Sequence, residues 1–153
     1  MPESWATRIE RWRFNLFPAY RGTGAWVDYI AADWREVRVR LPLSWHTRNY
    51  VGTTFGGSLY GSVDPIYMLM LMRNLGPAFV VWDKAATIRF LRPGRTTLFA
   101  TFTLSSDAIA EIAGEATRLG KVIRDLEVEL KDAAGLVHAT CSKTLYIRWK
   151  GDR

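Results

Sequence analysis

"NYVGTTFGGSLYGSVDPIYMLMLM", residues 49–72, sets four glycines, one carboxylate and one proline directly ahead of an apolar run. Gly52, Gly56, Gly57 and Gly61 each weaken a helix by about 1 kcal/mol relative to alanine. Asp64 is a lone acid beside residues 66–72, which are apolar on every side and therefore read as a fully buried helix. Local conflicts of this kind gather at functional or strained sites. The Asp-Pro pair has two readings. Asp64 can cap a helix that starts with Pro65 at its first position. Alternatively the helix runs through 56–75, with Gly61 easing a kink four residues before Pro65.

Outward from this stretch, the period changes. Upstream, 35–41 alternates as a strand, with Val37, Val39 and Leu41 on one face. A less regular strand covers 24–33, and residues 42–57 read as a loop. Residues 3–17 have Trp5, Ile9, Trp12 and Leu16 at helical spacing, which predicts an amphipathic helix ending at Pro18.

Downstream, Trp82, Ala86, Ile88 and Phe90 alternate with Asp83, Thr87 and Arg89 over 79–91. That puts Asp83 on the face of Ala85, Thr87 and Arg89, and Lys84 on the apolar face, where it needs an acid partner or a route to solvent. After an "RPGR" turn, strands follow at 95–104, 121–131 and 136–149. Between the first two lies a short helix expected to be capped by Ser106 or Asp107. One buried helix followed by four antiparallel strands, with two more before it, is an α+β arrangement. A curled antiparallel sheet wrapped around a central helix is the hotdog fold.

Composition narrows the class. The chain has 153 residues, 48% of them hydrophobic, which suits one domain (1–153, with 1–18 as an added N-terminal helix). A single cysteine, Cys141, excludes an intramolecular disulfide, reads as a small buried side chain, and leaves no cluster for a structural zinc. The N-terminus has no signal-type apolar core, and no apolar run approaches the roughly 20 residues that span a bilayer. A soluble cytoplasmic protein without membrane partners is expected. The net charge of +6 is carried by scattered arginines, so a solvated basic surface is expected and not a nucleic-acid site. His46 and His138 are far apart and read as structural. Met68, Met70 and Met72 read as core.

The stretch 49–64 resembles the active-site segment of hotdog acyl-CoA thioesterases of the phenylacetate-pathway type, and the whole chain resembles their relatives called domain of unknown function 4442. In the thioesterases, Asn is followed after five residues by His-Gly-Gly, and an acid stands nine positions after the His. Here Asn49 stands six before Phe55, Gly56 and Gly57 follow, and Asp64 is nine after Phe55. "DKAATIRFLRPGRTTLFATFTL" matches the family's strand-turn-strand. Phe55 in place of the histidine is the departure, and Phe-Gly-Gly is the pattern of the 4442 relatives.

The resemblance implies an acyl-CoA thioesterase without metal or redox cofactor, coenzyme A entering only as part of the substrate. Asp64 would be general base or nucleophile, Gly56 and Gly57 amide donors to the carbonyl oxygen, and Asn49 an orienting group. Phe55 and Asp83 would lie at the substrate, and Arg89, Arg92 and Arg95 could meet the phosphates of coenzyme A. The family's subunits pair their sheets, implying a homodimer or homotetramer with the site between subunits. Two alternatives stand beside this reading: a non-catalytic acyl or lipid binder, and a hydroxyacyl-thioester dehydratase, which lacks its histidine here.

Overall fold

A computed structural model describes residues 1–151. In chain order the elements are α1 (Trp5–Leu16), α2 (Pro18–Arg21), β1 (Trp26–Ile30), β2 (Glu36–Leu41), α3 (Gly56–Val63), α4 (Ile66–Leu75), β3 (Phe79–Phe90), β4 (Leu98–Thr103), α5 (Ser106–Leu119), β5 (Lys121–Lys131) and β6 (Val137–Trp149). The strands form one six-stranded antiparallel sheet in the order β1-β2-β4-β5-β6-β3. The chain is thus α+β, with a helix against a curled sheet. Strict alternation buries Val37, Val39 and Leu41 on β2, and Leu98, Ala100 and Phe102 on β4. These side chains and their counterparts on β6 pack against Leu59, Val63, Ile66, Met70 and Leu71 of α3–α4 in one core.

β3 and β4 follow each other in the chain but are not partners. β3 pairs with β6 alone and forms one sheet edge, whereas β4 lies between β2 and β5. The Pro-Gly turn is therefore not a hairpin. It runs past the head of α3, where the Thr54 amide donates to the Gly94 carbonyl (2.9 Å). His138 clamps the same turn, with Nδ1 3.1 Å from the Pro93 carbonyl and Nε2 3.0 Å from Asp132 Oδ2.

Three sequence expectations need correction. The apolar run is not buried on all sides. Ile66, Tyr67, Met70 and Leu71 are buried, but Met72 is 45% exposed and Met68 is only partly covered, because the sheet covers one flank of the helix. α5 is capped by Ser105, whose hydroxyl accepts from the Ala108 amide, and not by Ser106 or Asp107. β3 does not alternate uniformly. A bulge between Asp83 and Ala85 inserts Lys84 as an extra residue. Asp83 therefore pairs with Leu145 on the inner face, Trp82 turns outward beside Tyr146, and Lys84 is exposed without needing an acid on the apolar face. Pro18 follows the end of α1 as expected, and at once begins α2, its ring suiting the first helical position.

α1 is amphipathic, but its apolar stripe faces outward. Trp5, Ile9, Trp12 and Leu16 are all more than half exposed, while Thr7 and Asn15 are buried. The reason is a two-way hydrogen bond. Asn15 Nδ2 donates to the Val27 carbonyl (2.8 Å), and its Oδ1 accepts from the Val27 amide (2.7 Å). This ties the polar face of the helix to β1. Asn15→Ala leaves both backbone groups of Val27 without that partner. It should cost about 1–3 kcal/mol, seen as a lower midpoint in thermal unfolding.

Candidate active site

The helix that carries Asp64 is one path with a break in it. α3 ends and α4 begins across Asp64 and Pro65, and Asp64 itself keeps helical dihedrals (φ −50°, ψ −55°). Its carboxylate makes no cap bond to α4. Asp64 is therefore not the N-cap of a helix that starts there. Gly61 has a separate reason to be glycine: a Cβ there would stand 2.7 Å from Thr23 Cγ2. The close approach of α2's trailing turn to the central helix needs that space.

The carboxylate points to a group that the sequence reading did not single out. Asp64 Oδ1 accepts from Tyr60 Oη (2.5 Å) and from Lys143 Nζ (2.5 Å). Tyr60 lies four residues earlier, one helical turn away on the same face. Lys143 stands on β6 in the inward register with Ala139, Cys141, Leu145 and Ile147, and is completely buried. Its Nζ also lies 3.2 Å from Asp83 Oδ2, which the bulge has turned inward. One buried cation thus joins an acid of the central helix to an acid of the edge strand. No hydrogen bond from the described residues reaches Asp64 Oδ2, and the Asp64 side chain is 42% exposed.

The electrostatics follow from this packing. Burial lowers the ammonium pKa of Lys143, but bonds to Asp64 and Tyr60 and the two nearby carboxylates outweigh it, so the net shift is upward. Its contribution to stability is fully present below about 10.4, the unfolded value. It is lost only as pH rises through the higher folded value. Burial raises Asp83 above the ordinary carboxylate range, with the Lys143 charge opposing it. Asp83 Oδ1 is buried without a hydrogen-bond partner among the described residues. The Tyr60 hydroxyl is raised by burial and by its bond to Asp64, so it is held as a donor.

Gly56 and Gly57 form the first turn of α3. Phe55 occupies the N-cap position, and no side chain caps the helix. The leading amides of a helix have no partner within it and carry the positive end of its dipole. A Cβ on Gly57 would stand 2.4 Å from Phe55 Cε1, so the Phe55 ring lies over this turn. Asn49 serves its own loop. Its Oδ1 accepts from the Val51 and Thr53 amides (3.1 and 3.0 Å), and its Nδ2 donates to Thr53 Oγ1 (2.8 Å).

A cavity of about 390 Å³ brings Asn49, Gly56 and Arg92 together with the Pro93–Gly94 turn. Arg92 Nη1 also donates to the Val137 carbonyl (2.8 Å). Arg95 is exposed and lines neither this cavity nor the Asp64 cluster. Arg89, paired with Thr140, faces a groove on the outer side of the sheet with Thr87 and Glu127. The three arginines are thus not gathered at one point.

Asp64 and the Gly56 amide stand apart on one helix. Eight residues at 1.5 Å rise separate them by about 12 Å along the axis. Within a single chain they cannot both touch one carbonyl group.

Several solved structures share this architecture. A protein of unknown function from Pseudomonas aeruginosa, described as a probable thioesterase, superposes with a TM-score of 0.85 at 24% identity, covering 97% of this chain and 98% of its own. A protein of unknown function from Chlorobaculum tepidum gives 0.75 at 15% identity, covering 95% of each chain. A thioesterase from Haemophilus influenzae gives 0.67 at 14% identity, over 92% of this chain and 90% of its own. At these identities the likeness speaks for the fold alone. No curated protein matches the chain. The family described as domain of unknown function (DUF4442) matches residues 7–147, nearly the whole of the folded chain, and the protein belongs to that family.

Proposed function

We propose that this single-domain chain is a hotdog-fold acyl-CoA thioesterase, acting as a homodimer or homotetramer in the cytoplasm. The observation that carries the reading is Asp64: one carboxylate oxygen is fixed by Lys143 and Tyr60, and the other is left open on a half-exposed side chain. A structural ion pair has no need of that asymmetry, whereas a general base needs a fixed orientation and a free oxygen.

The separation of about 12 Å between Gly56 and Asp64 along the helix supports a site built from two subunits. The Gly56 and Gly57 amides of one would meet the carbonyl held against Asp64 of the other. The edge strand β3, twelve residues long and paired on one side only, supports joining of the sheets there.

In this reading Asp64 Oδ2 takes a proton from water. The hydroxide oxygen bonds to the thioester carbon, and the carbonyl pair moves onto oxygen, facing the helix amides. Collapse of the oxyanion breaks the carbon–sulfur bond. The thiolate of coenzyme A leaves and regains the proton from Asp64, and the products are a carboxylic acid and coenzyme A. Lys143 holds the carboxylate in place, and takes no part in proton transfer. Arg92, and Arg95 beyond it, would meet the nucleotide phosphates where they leave the cavity beside Gly56.

Thiol release from acyl-CoA by the wild-type protein tests the chemistry, and sedimentation tests the assembly, with a mass near two or four times 17.5 kDa expected. A monomer that hydrolyses acyl-CoA would overturn the two-subunit site. Acyl-CoA binding without any thiol release would favour the non-catalytic binder, for which the Phe55 ring over Gly57 supplies a physical cause.

A further inference from the structure

A second cavity, of about 550 Å³, lies between α1–α2 and the flank of α3–α4 that the sheet leaves uncovered. Phe14, Phe17 and Tyr20 form one wall, and Pro65, Met68 and Leu69 the other. This size falls in the range of small-molecule sites, roughly 300–1,000 Å³. The lining offers almost nothing to a polar ligand. The Tyr20 hydroxyl is turned away and donates to the Ser62 carbonyl. The Thr23 hydroxyl donates to the Tyr20 carbonyl and accepts from the Ala25 amide. Arg13 stands at the rim with its side chain 75% exposed. The one polar group left in the wall is Asp64.

We propose that this cavity receives the acyl chain of the substrate, an unbranched aliphatic chain of medium length whose carbonyl carbon stops at Asp64. The proposal rests on the thioesterase reading and adds the substrate class to it. Three observations converge. The cavity opens beside the acid that would activate water. Its wall is apolar except for that acid and the rim arginine. From Asp64 the lining residues of the central helix run on to Leu69, and the volume of about 550 Å³ is one that a short acyl group leaves largely empty. Met68, an unbranched and flexible side chain, suits a wall that follows a chain of variable bends. The N-terminal helices are thus the outer wall of the acyl site.

Ala19 is the small exposed side chain of that wall, and Ala19→Trp fills the space from α2. Each methylene taken from water is worth about fourfold in affinity, so losing room for a few of them should be visible. The ratio of kcat/KM for dodecanoyl-CoA over butyryl-CoA should fall tenfold or more in the variant. A binding arm keeps the test independent of hydrolysis. Calorimetry with dodecyl-CoA, a thioether that cannot be hydrolysed, should show at least a tenfold loss of affinity. An unchanged ratio with unchanged thioether affinity would overturn the acyl-chain assignment even if the protein hydrolyses acyl-CoA. Dodecyl-CoA binding weakened by Ala19→Trp in a protein without hydrolysis would uphold the cavity and remove the thioesterase reading. A change of sedimenting mass in the variant would show that a second copy fills the cavity, and would also overturn the proposal.

Discussion

On the proposed thioesterase reading, Asp64→Asn is expected to lower turnover of acyl-CoA by about a hundredfold or more, the usual scale for a lost general base, while the protein stays folded and still binds acyl-CoA. Asparagine presents the same Oδ1 to Lys143 Nζ and Tyr60 Oη, the two groups that hold the aspartate at 2.5 Å. It has no carboxylate oxygen to take a proton from water. The expected result is a fall in kcat with little change in KM or in the midpoint of thermal unfolding. If thiol release is strong in the wild type and untouched in the variant, Asp64 is only an anchor for Lys143 and the mechanism is wrong. Assays across acyl lengths guard against a substrate for which chemistry is not the slow step.

Lys143→Met carries the largest expected loss of stability. The substitution fits the buried volume of the lysine stem but removes the charge that two carboxylates share. Breaking a buried pair from one side costs about 3–5 kcal/mol. The lower end applies here, because the Asp64 side chain is 42% exposed. For a chain of this size that is a drop in melting temperature of about 6–12 °C. The pH dependence gives a second signature. Asp83 already has a raised pKa through burial, and without the Lys143 charge the rise is larger. An acid whose folded-state pKa is raised takes up a proton on folding. Its stability contribution therefore grows as pH falls through the folded value towards about 3.9. The variant should thus recover part of its lost stability on mild acidification, and Asp83→Asn in the same chain should recover it at neutral pH. A midpoint within a degree of the wild type would mean that the lysine contributes nothing net.

The continuity of the chain from Gly56 through Pro65 was legible, because Gly56, Gly57 and Gly61 lie on α3 and Asp64 and Pro65 form its junction with α4, where the geometry is local. The strand pattern carried the α+β class for the same reason: alternation on β2 and β4 reports directly which face is buried. What escaped is non-local. Sequence reading noticed a lysine in an apolar register, but took it to be Lys84 on β3. The bulge at that residue shifts the alternation by one, exposing Lys84 and turning Asp83 inward. The lysine that does stand among apolar neighbours is Lys143, and the run Ala139, Cys141, Lys143, Leu145, Ile147 was legible as an alternating face with one charge in it. Tyr60 was also legible as an i, i+4 partner of Asp64. No pattern in the chain announces that β6 and β3 bring Lys143 and Asp83 to the same helix, since that depends on strand order. The exposed stripe of α1 shows the opposite failure. Its period was read correctly, but which face turned inward was decided by Asn15 and the backbone of β1.

The inverted attachment of α1 sets a hierarchy of opening. The strands β2, β4 and β6 are held by interlocked apolar side chains, and core elements of that kind open at free energies close to the global value. α1 is held to β1 through two hydrogen bonds of one asparagine, to α4 through the Glu10–Arg73 ion pair, and to the core through Phe14, whose ring is tilted against Tyr20. Segments with few buried apolar contacts detach at free energies well below the global value. The amides of α1 should accordingly exchange their hydrogens for deuterium long before those of β6. Arg13 and Phe14 of α1 line the second cavity, so that excursion would also take away part of its wall.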